Sequence, residues 1–257
     1  MKGKPLMALG QVMTFVAFFA AWELLVRWFN IKPVILPGPL TIFADMWEHR
    51  AMLLKNTWPT FVAISLGFIY AFLVGFAIAI GIAFSKTVRE LTYPFLVVAQ
   101  ILPKVAFAPL FLIWFGFGLT PKILIAALVA FFPIVINTAK GLTSVDPELL
   151  EYMHSLGASR WESFRKISLP WALPYIFAAL KISITLAIVG AVVGEFVAAG
   201  EGLGYVINAA NIALDTELMF AAITVLSVLG VLLFMAVVAV ERFVMRSASL
   251  SVDSATM

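Results

Sequence analysis

Residues 146–170 read DPELLEYMHSLGASRWESFRKISLP, the longest polar interruption of an otherwise apolar chain. Asp146 is placed to cap a first helix, with Pro147 at its first position and Glu148 and Glu151 near its positive end. Leu149, Leu150, Met153 and Leu156 recur at helical spacing and form one apolar stripe. Gly157 stops that helix, because glycine enters the left-handed C-terminal conformation without a Cβ penalty. After Ala158, Ser159-Arg160-Trp161-Glu162 is a capping-box pattern that starts a second helix, with Trp161, Phe164 and Ile167 on its buried side. Leu169-Pro170 is expected to end it. A charged helix pair between two apolar segments is most simply a docking surface for a soluble partner. The bland alternative is an amphipathic loop lying on a bilayer.

What surrounds this stretch is membrane. The 257 residues are 63% hydrophobic and 12% charged, with mean hydropathy +1.07. A soluble domain carries about twice that charge. Six segments reach the roughly 20 apolar residues that a spanning helix needs: about 6–29, 57–84, 91–115, 121–141, 171–199 and 217–241. The expected fold is therefore an all-α integral membrane protein with six transmembrane helices in a single domain, 1–257. The first run is followed by no small-residue cleavage site and reads as a retained span. Between the first two spans, ILPGPL leads into a short amphipathic helix with Phe43, Met46 and Trp47 on its apolar side. The tail from Ser247 to Met257 is small and polar and is expected to fray.

Lysine and arginine set the orientation. With the N-terminus inside, the inner ends hold Lys2, Lys4, Lys86, Arg89, Lys140, Arg160, Arg165, Lys166, Lys181, Arg242 and Arg246. The outer ends hold Arg27, Lys32, Arg50, Lys55 and Lys122. The bias puts both termini, and with them segment 146–170, in the cytoplasm. Lys181 is expected to snorkel to the inner headgroups.

Several chemistries are excluded. There is no cysteine, and His49 and His154 stand alone, so no metal site is expected. No GxxxxGK[ST] phosphate loop, GxSxG or HExxH occurs, and nothing points to nucleic acid. Gly200-Glu201-Gly202-Leu203-Gly204 follows a span rather than a strand, so it reads as a tight turn into a short helix near Tyr205 to Leu214. The chain is expected to be no enzyme and to bind no cofactor.

Ionisable residues inside spans are costly and so informative. Lys104 lies in the third span between Pro103 and Pro109, which remove backbone donors and bend the helix. It reads either as a pathway residue or as a lysine bonded to neighbouring carbonyls. Glu195 stands in the fifth span beside Gly190 and Gly194, Asn137 in the fourth as a candidate interhelical donor, and Glu23 in the first as a peripheral packing residue.

Two sets of residues carry a resemblance. Glu151, Gly157, Ile167, Leu169 and Pro170 match the E-A-A-x3-G-x9-I-x-L-P signature of permease subunits of ATP-binding-cassette (ABC) importers, with Tyr152 and Met153 where that signature has alanines. Pro103 to Gly116 is similar to the P-x-x-A-x-x-P-L-x-x-x-W-F-G segment of the branch importing nitrate, sulfonates and taurine. Phe132-Pro133, Asn137-Thr138, Gly194-Glu195 and Gly202-Leu203-Gly204 fit the same branch, which also holds pyrimidine and riboflavin importers. The resemblance implies a type I importer in the bacterial inner membrane. Its parts are a homodimer of this subunit, two cytoplasmic ATPase subunits that bind ATP and Mg, and a periplasmic binding protein. It makes 146–170 the coupling helix segment, with Glu151, Gly157, Ala158, Ser159, Ile167, Leu169 and Pro170 facing the ATPase. Pro103, Lys104, Pro109, Asn137 and Glu195 become candidates for the translocation path. A secondary transporter is the rival from another class, but it normally shows inverted repeats and several midplane carboxylates, and this chain has neither.

Overall fold

A computed structural model describes residues 4–197 and 200–253. Among the described residues every regular element is helical: α1 (Lys4–Trp28), α2 (Pro39–Glu48), α3 (Arg50–Phe84), α4 (Lys86–Ile101), α5 (Ala108–Phe115), α6 (Leu119–Thr143), α7 (Pro147–Ser155), α8 (Arg160–Ser163), α9 (Leu169–Val197), α10 (Leu203–Ala213) and α11 (Thr216–Asp253). In a bilayer each backbone polar group must be satisfied within its own segment, and helices do this. Among the described residues four helices are long and apolar enough to cross a membrane, and a fifth crossing results if the bent pair α4–α5 is one span. Helices stand at all six expected places, α1 at the first. The expected tail is helical to Asp253, and residues 254–257 lie outside the described ones. Large apolar side chains such as Val228, Val231, Leu232 and Met235 on α11 are exposed, as lipid-facing groups would be.

The contacts cluster into two compact units, residues 1–58 with 201–227, and 59–200 with 228–257. In the first, Glu23 does more than pack at the periphery. Its carboxylate holds the Arg27 Nε at 2.7 Å and accepts the Leu40 N–H at 3.1 Å, satisfying a donor left open in the first turn of α2. On α2 Pro39 and Ile42 are buried, while Phe43 and Trp47 are 58% and 72% exposed. Gly202, at φ +115°, makes the turn into α10 that its spacing predicted, and its N–H donates to Asn56 Oδ1 at 2.8 Å.

The second unit is built on α6 and α9, which pack with their backbones in contact. A Cβ on Gly190 would fall 2.7 Å from the Ala126 Cα, and one on Gly194 would fall 2.9 Å from the Lys122 Cα. From α3, Gly67 meets the same Ala126. Where lipid supplies no hydrophobic drive between helices, such small residues let close van der Waals packing do the work. Ser183 adds a hydroxyl bond to the Ala130 carbonyl across α9 and α6 at 2.8 Å. The Lys181 ammonium meets Glu241 of α11 at 2.9 Å.

Candidate functional site

The polar segment folds as its local chemistry dictates. Asp146 Oδ1 accepts the Glu148 N–H at 3.0 Å, and Pro147 occupies the first helical position. At the other end of α7, Gly157 adopts φ +78°. The Gly157 N–H donates to the His154 carbonyl at 2.9 Å and the Ala158 N–H to the Met153 carbonyl at 3.1 Å. These are the paired bonds of a Schellman motif, closed by glycine in the left-handed region. Ser159 and Glu162 then form a reciprocal capping box: Ser159 N–H to Glu162 Oε2 at 2.9 Å, and Glu162 N–H to Ser159 Oγ at 3.2 Å.

Two expectations for this segment fail. Leu169-Pro170 does not end the second helix. A π-helical turn over Phe164–Ser168 joins α8 to α9, with the Leu169 N–H bonded to the Phe164 carbonyl, so helix runs unbroken from Arg160 to Val197. The widened turn comes just before Pro170, whose missing N–H is one donor lost from the ladder of that continuous helix. Trp161 is 59% exposed rather than buried, although its ring stacks on Phe84 and Phe164, with centroids 6.3 and 5.3 Å away. Phe164 takes the buried place, and Ile167 is half-buried. Nothing on α7 is buried. Glu151 and Tyr152 are exposed and Met153 half-exposed, so α7 presents a free face.

The third span is broken rather than merely bent. Leu102 sits at φ −59°, ψ +138°, as a residue before proline is driven to do, and Pro103 has no N–H to carry the ladder on. α4 therefore stops at Ile101, a short 3-10 turn covers Lys104–Phe107, and α5 leaves at 83° to α4. Lys104 reaches back and donates to the Gln100 carbonyl at 2.6 Å, one of the acceptors orphaned at the end of α4. Its ammonium also lies 4.7 Å from the centroid of the Phe132 ring. Pro103 and Pro109 flank it, both exposed.

The remaining candidates are not gathered around Lys104. Asn137 Nδ2 returns to the Pro133 carbonyl on its own helix at 2.9 Å, and among the described residues its amide makes no interhelical bond. Glu195 is fully buried and accepts the Thr60 hydroxyl at 2.8 Å, tying α9 to α3. Lys122, counted at an outer span end, is 1% exposed and has its backbone against Gly194, next to Glu195. The signal for this pairing was present as Gly190-x-x-x-Gly194, a spacing that brings helix backbones together.

Residues 71–246 match the family described as binding-protein-dependent transport system inner membrane component. The chain is 36% identical to the riboflavin transport system permease protein RibX of Chloroflexus aurantiacus, over 93% of this chain and 90% of that protein. It is 32% identical to the formylaminopyrimidine transport permease protein ThiX of Halalkalibacterium halodurans, over 93% and 95%. With the taurine transport system permease protein TauC of Escherichia coli the figures are 31%, 89% and 86%. Among solved structures, an inward-facing MetNI methionine ABC transporter aligns with TM-score 0.65 at 18% identity, over 78% of this chain and 98% of that one, a likeness of fold.

Proposed function

The chain belongs to the inner membrane components of binding-protein-dependent transport systems, the permeases of ABC importers, and from that premise we propose how its parts serve import. Segment 146–170 docks on a separate cytoplasmic ATPase chain, which binds ATP and Mg; this chain binds neither. Two copies of the subunit form the path, two ATPases lie beneath, and a periplasmic binding protein delivers the solute. Both termini are cytoplasmic. The observation that carries this reading is a free-faced α7 fixed at both ends by caps and joined to one unbroken helix from Arg160 to Val197.

That continuity supplies a mechanism. When ATP draws the two ATPases together, α7 and α8 move with them. A helix with no break transmits the displacement into α9, and α9 is locked to α6 at Gly190 and Gly194. The pair therefore moves as one body and opens the cavity outward; hydrolysis reverses the movement. The cargo is a small organic solute of the range that the relatives carry. The permeases named for riboflavin and formylaminopyrimidine favour a vitamin or its precursor over a sulfonate.

Affinity purification of the membrane-embedded chain should bring down an ATPase chain bearing a phosphate loop. A cysteine at Glu151 should crosslink to it, cleanly, since the chain has no other cysteine. Recovery of the chain without any ATPase would overturn the assignment of segment 146–170, and of its cytoplasmic side.

For the path we propose Pro103, Lys104, Pro109, Asn137 and Glu195, with Lys104 at the 83° break as the charged member. Lys104→Met keeps the aliphatic stem and removes the charge. Uptake is expected to fall severalfold with ATPase binding intact, more for an anionic solute than a neutral one. Undiminished uptake would reduce Lys104 to a cap on α4.

A further inference from the structure

Ile42 and Asp45 of α2, with His49 at its end, recur at spacings of three and four and share one face. Ile42 is buried there, and the Asp45 side chain is 11% exposed. Asp45 Oδ1 and His49 Nδ1 are 3.0 Å apart. The other carboxyl oxygen, Oδ2, is shut off from solvent, and no donor among the described residues reaches it. A second carboxylate acts on it from the turn between α10 and α11. The Asp215 N–H donates to the Ala210 carbonyl at 2.9 Å, and Asp215 Oδ1 accepts the Leu218 N–H at 3.1 Å, which caps α11. Beside it, Thr216 Oγ1 donates to the Val34 carbonyl at 2.7 Å and holds this turn to the segment leading into α2.

An ionised carboxyl with one oxygen enclosed and unmet is costly, and a neutral one is far less so. We propose that Asp45 is a proton-operated latch. Protonated, it holds α2 to the turn that starts α11; ionised, it is repelled by Asp215 and that hold loosens. Both sides of the latch belong to the first compact unit. Protons reach the Oδ1 side past the His49 ring, which is 36% exposed. Burial raises the Asp45 carboxyl above the usual aspartate range; His49 lowers it, and Asp215 and Glu48 raise it again. Those three are the groups whose charge acts on it, His49 and Glu48 from its own helix and Asp215 from the facing turn. A carboxyl raised in the native chain binds its proton more readily there than in the unfolded chain. Stability therefore grows as pH falls through the native value, and the gain is complete below the unfolded one. With both termini cytoplasmic the latch faces outward and senses the pH outside the membrane. Only that placement rests on the proposed orientation; the latch itself does not.

The test uses the full chain in phosphatidylcholine nanodiscs, titrated from about pH 8 to about pH 5. Asp45→Asn keeps an oxygen for the His49 ring and carries no charge, so it stands for the protonated state. At the alkaline end it should melt about 2–4 °C above wild type, and the gap should close as pH falls. A second readout is the protonated-carboxyl band in pH-difference infrared spectra. One component of that band should grow on acidification of wild type and be missing from Asp45→Asn. Asp215→Asn, which still caps α11, should move that component to lower pH by removing the opposing charge. Equal melting of wild type and Asp45→Asn across the range overturns the proposal. So does an infrared component retained in Asp45→Asn, or one that Asp215→Asn does not move. Loss of folded protein in Asp45→Asn overturns it too, because the neutral form is the one that should hold.

Discussion

Replacing Gly190 by valine is expected to remove folded protein from the membrane. The first added carbon would lie 2.7 Å from the Ala126 Cα and 2.9 Å from the Ile125 carbonyl oxygen. Both are backbone atoms of α6, so neither can swing aside as a side chain does. α9 would have to leave α6, opening the contact that also seats Gly194 and buries Glu195. Overpacking a tight core costs about 1–3 kcal/mol where side chains give way, and here they do not, so a loss above that range is expected. The measurement is the yield of monodisperse protein after mild extraction, with the melting temperature of whatever survives. Gly81→Ala is the matched control. Gly81 lies inside α3 with nothing within 4 Å of a new Cβ, and alanine there gains helix propensity. Wild-type yield for Gly190→Val would mean that α6 and α9 are not in backbone contact.

What the sequence made legible was local. Asp146, Gly157 and the Ser159–Glu162 box were readable because each satisfies backbone groups within a few residues of itself. A bend at Pro103 is readable for the same reason, since proline acts on its own N–H and on the residue before it, although the full break is not. The failures are all matters of what lies across from a residue. The ion pair of Lys181 is not legible locally, because its carboxylate partner, Glu241, is 60 positions away in the chain. The burial of Lys122 at its span end is equally hidden, since only the packing of α9 on α6 encloses it. Pro170 reads as a stop on any local rule, and a π-turn, which leaves no pattern in composition, lets the helix continue through it. Trp161 stays exposed because Phe164 takes the buried place among Leu142, Ala172 and Ile176, which no local pattern shows.

The consequence for coupling is sharpest at Gly157. Gly157→Val is expected to leave the membrane helices intact while uncoupling them from the ATPase. A Cβ on Gly157 would meet nothing within 4 Å, so the substitution causes no clash. Its cost falls on the backbone, which must hold φ +78°. That conformation costs an L-residue about 1–2 kcal/mol, and a β-branched one has the least tolerance for it. A penalty of that size shifts the share of correctly turned segments about 5- to 30-fold. The turn sets the angle between α7 and α8, and α8 is continuous with α9, so a misturned segment presents α7 at the wrong angle to the whole Arg160–Val197 helix. Uptake should therefore fall about tenfold or more, while the melting temperature and membrane yield stay near wild type. Basal ATP hydrolysis by the assembled complex should persist and lose its stimulation by solute-loaded binding protein. A graded series isolates the cause: asparagine, which tolerates the left-handed region, should retain most uptake, alanine less and valine least. If all three transport like wild type, the turn does not carry the stroke. If valine also abolishes yield, Gly157 serves folding rather than coupling. Only the ordered loss with unchanged stability fits a segment whose one strained turn aims α7 at its partner.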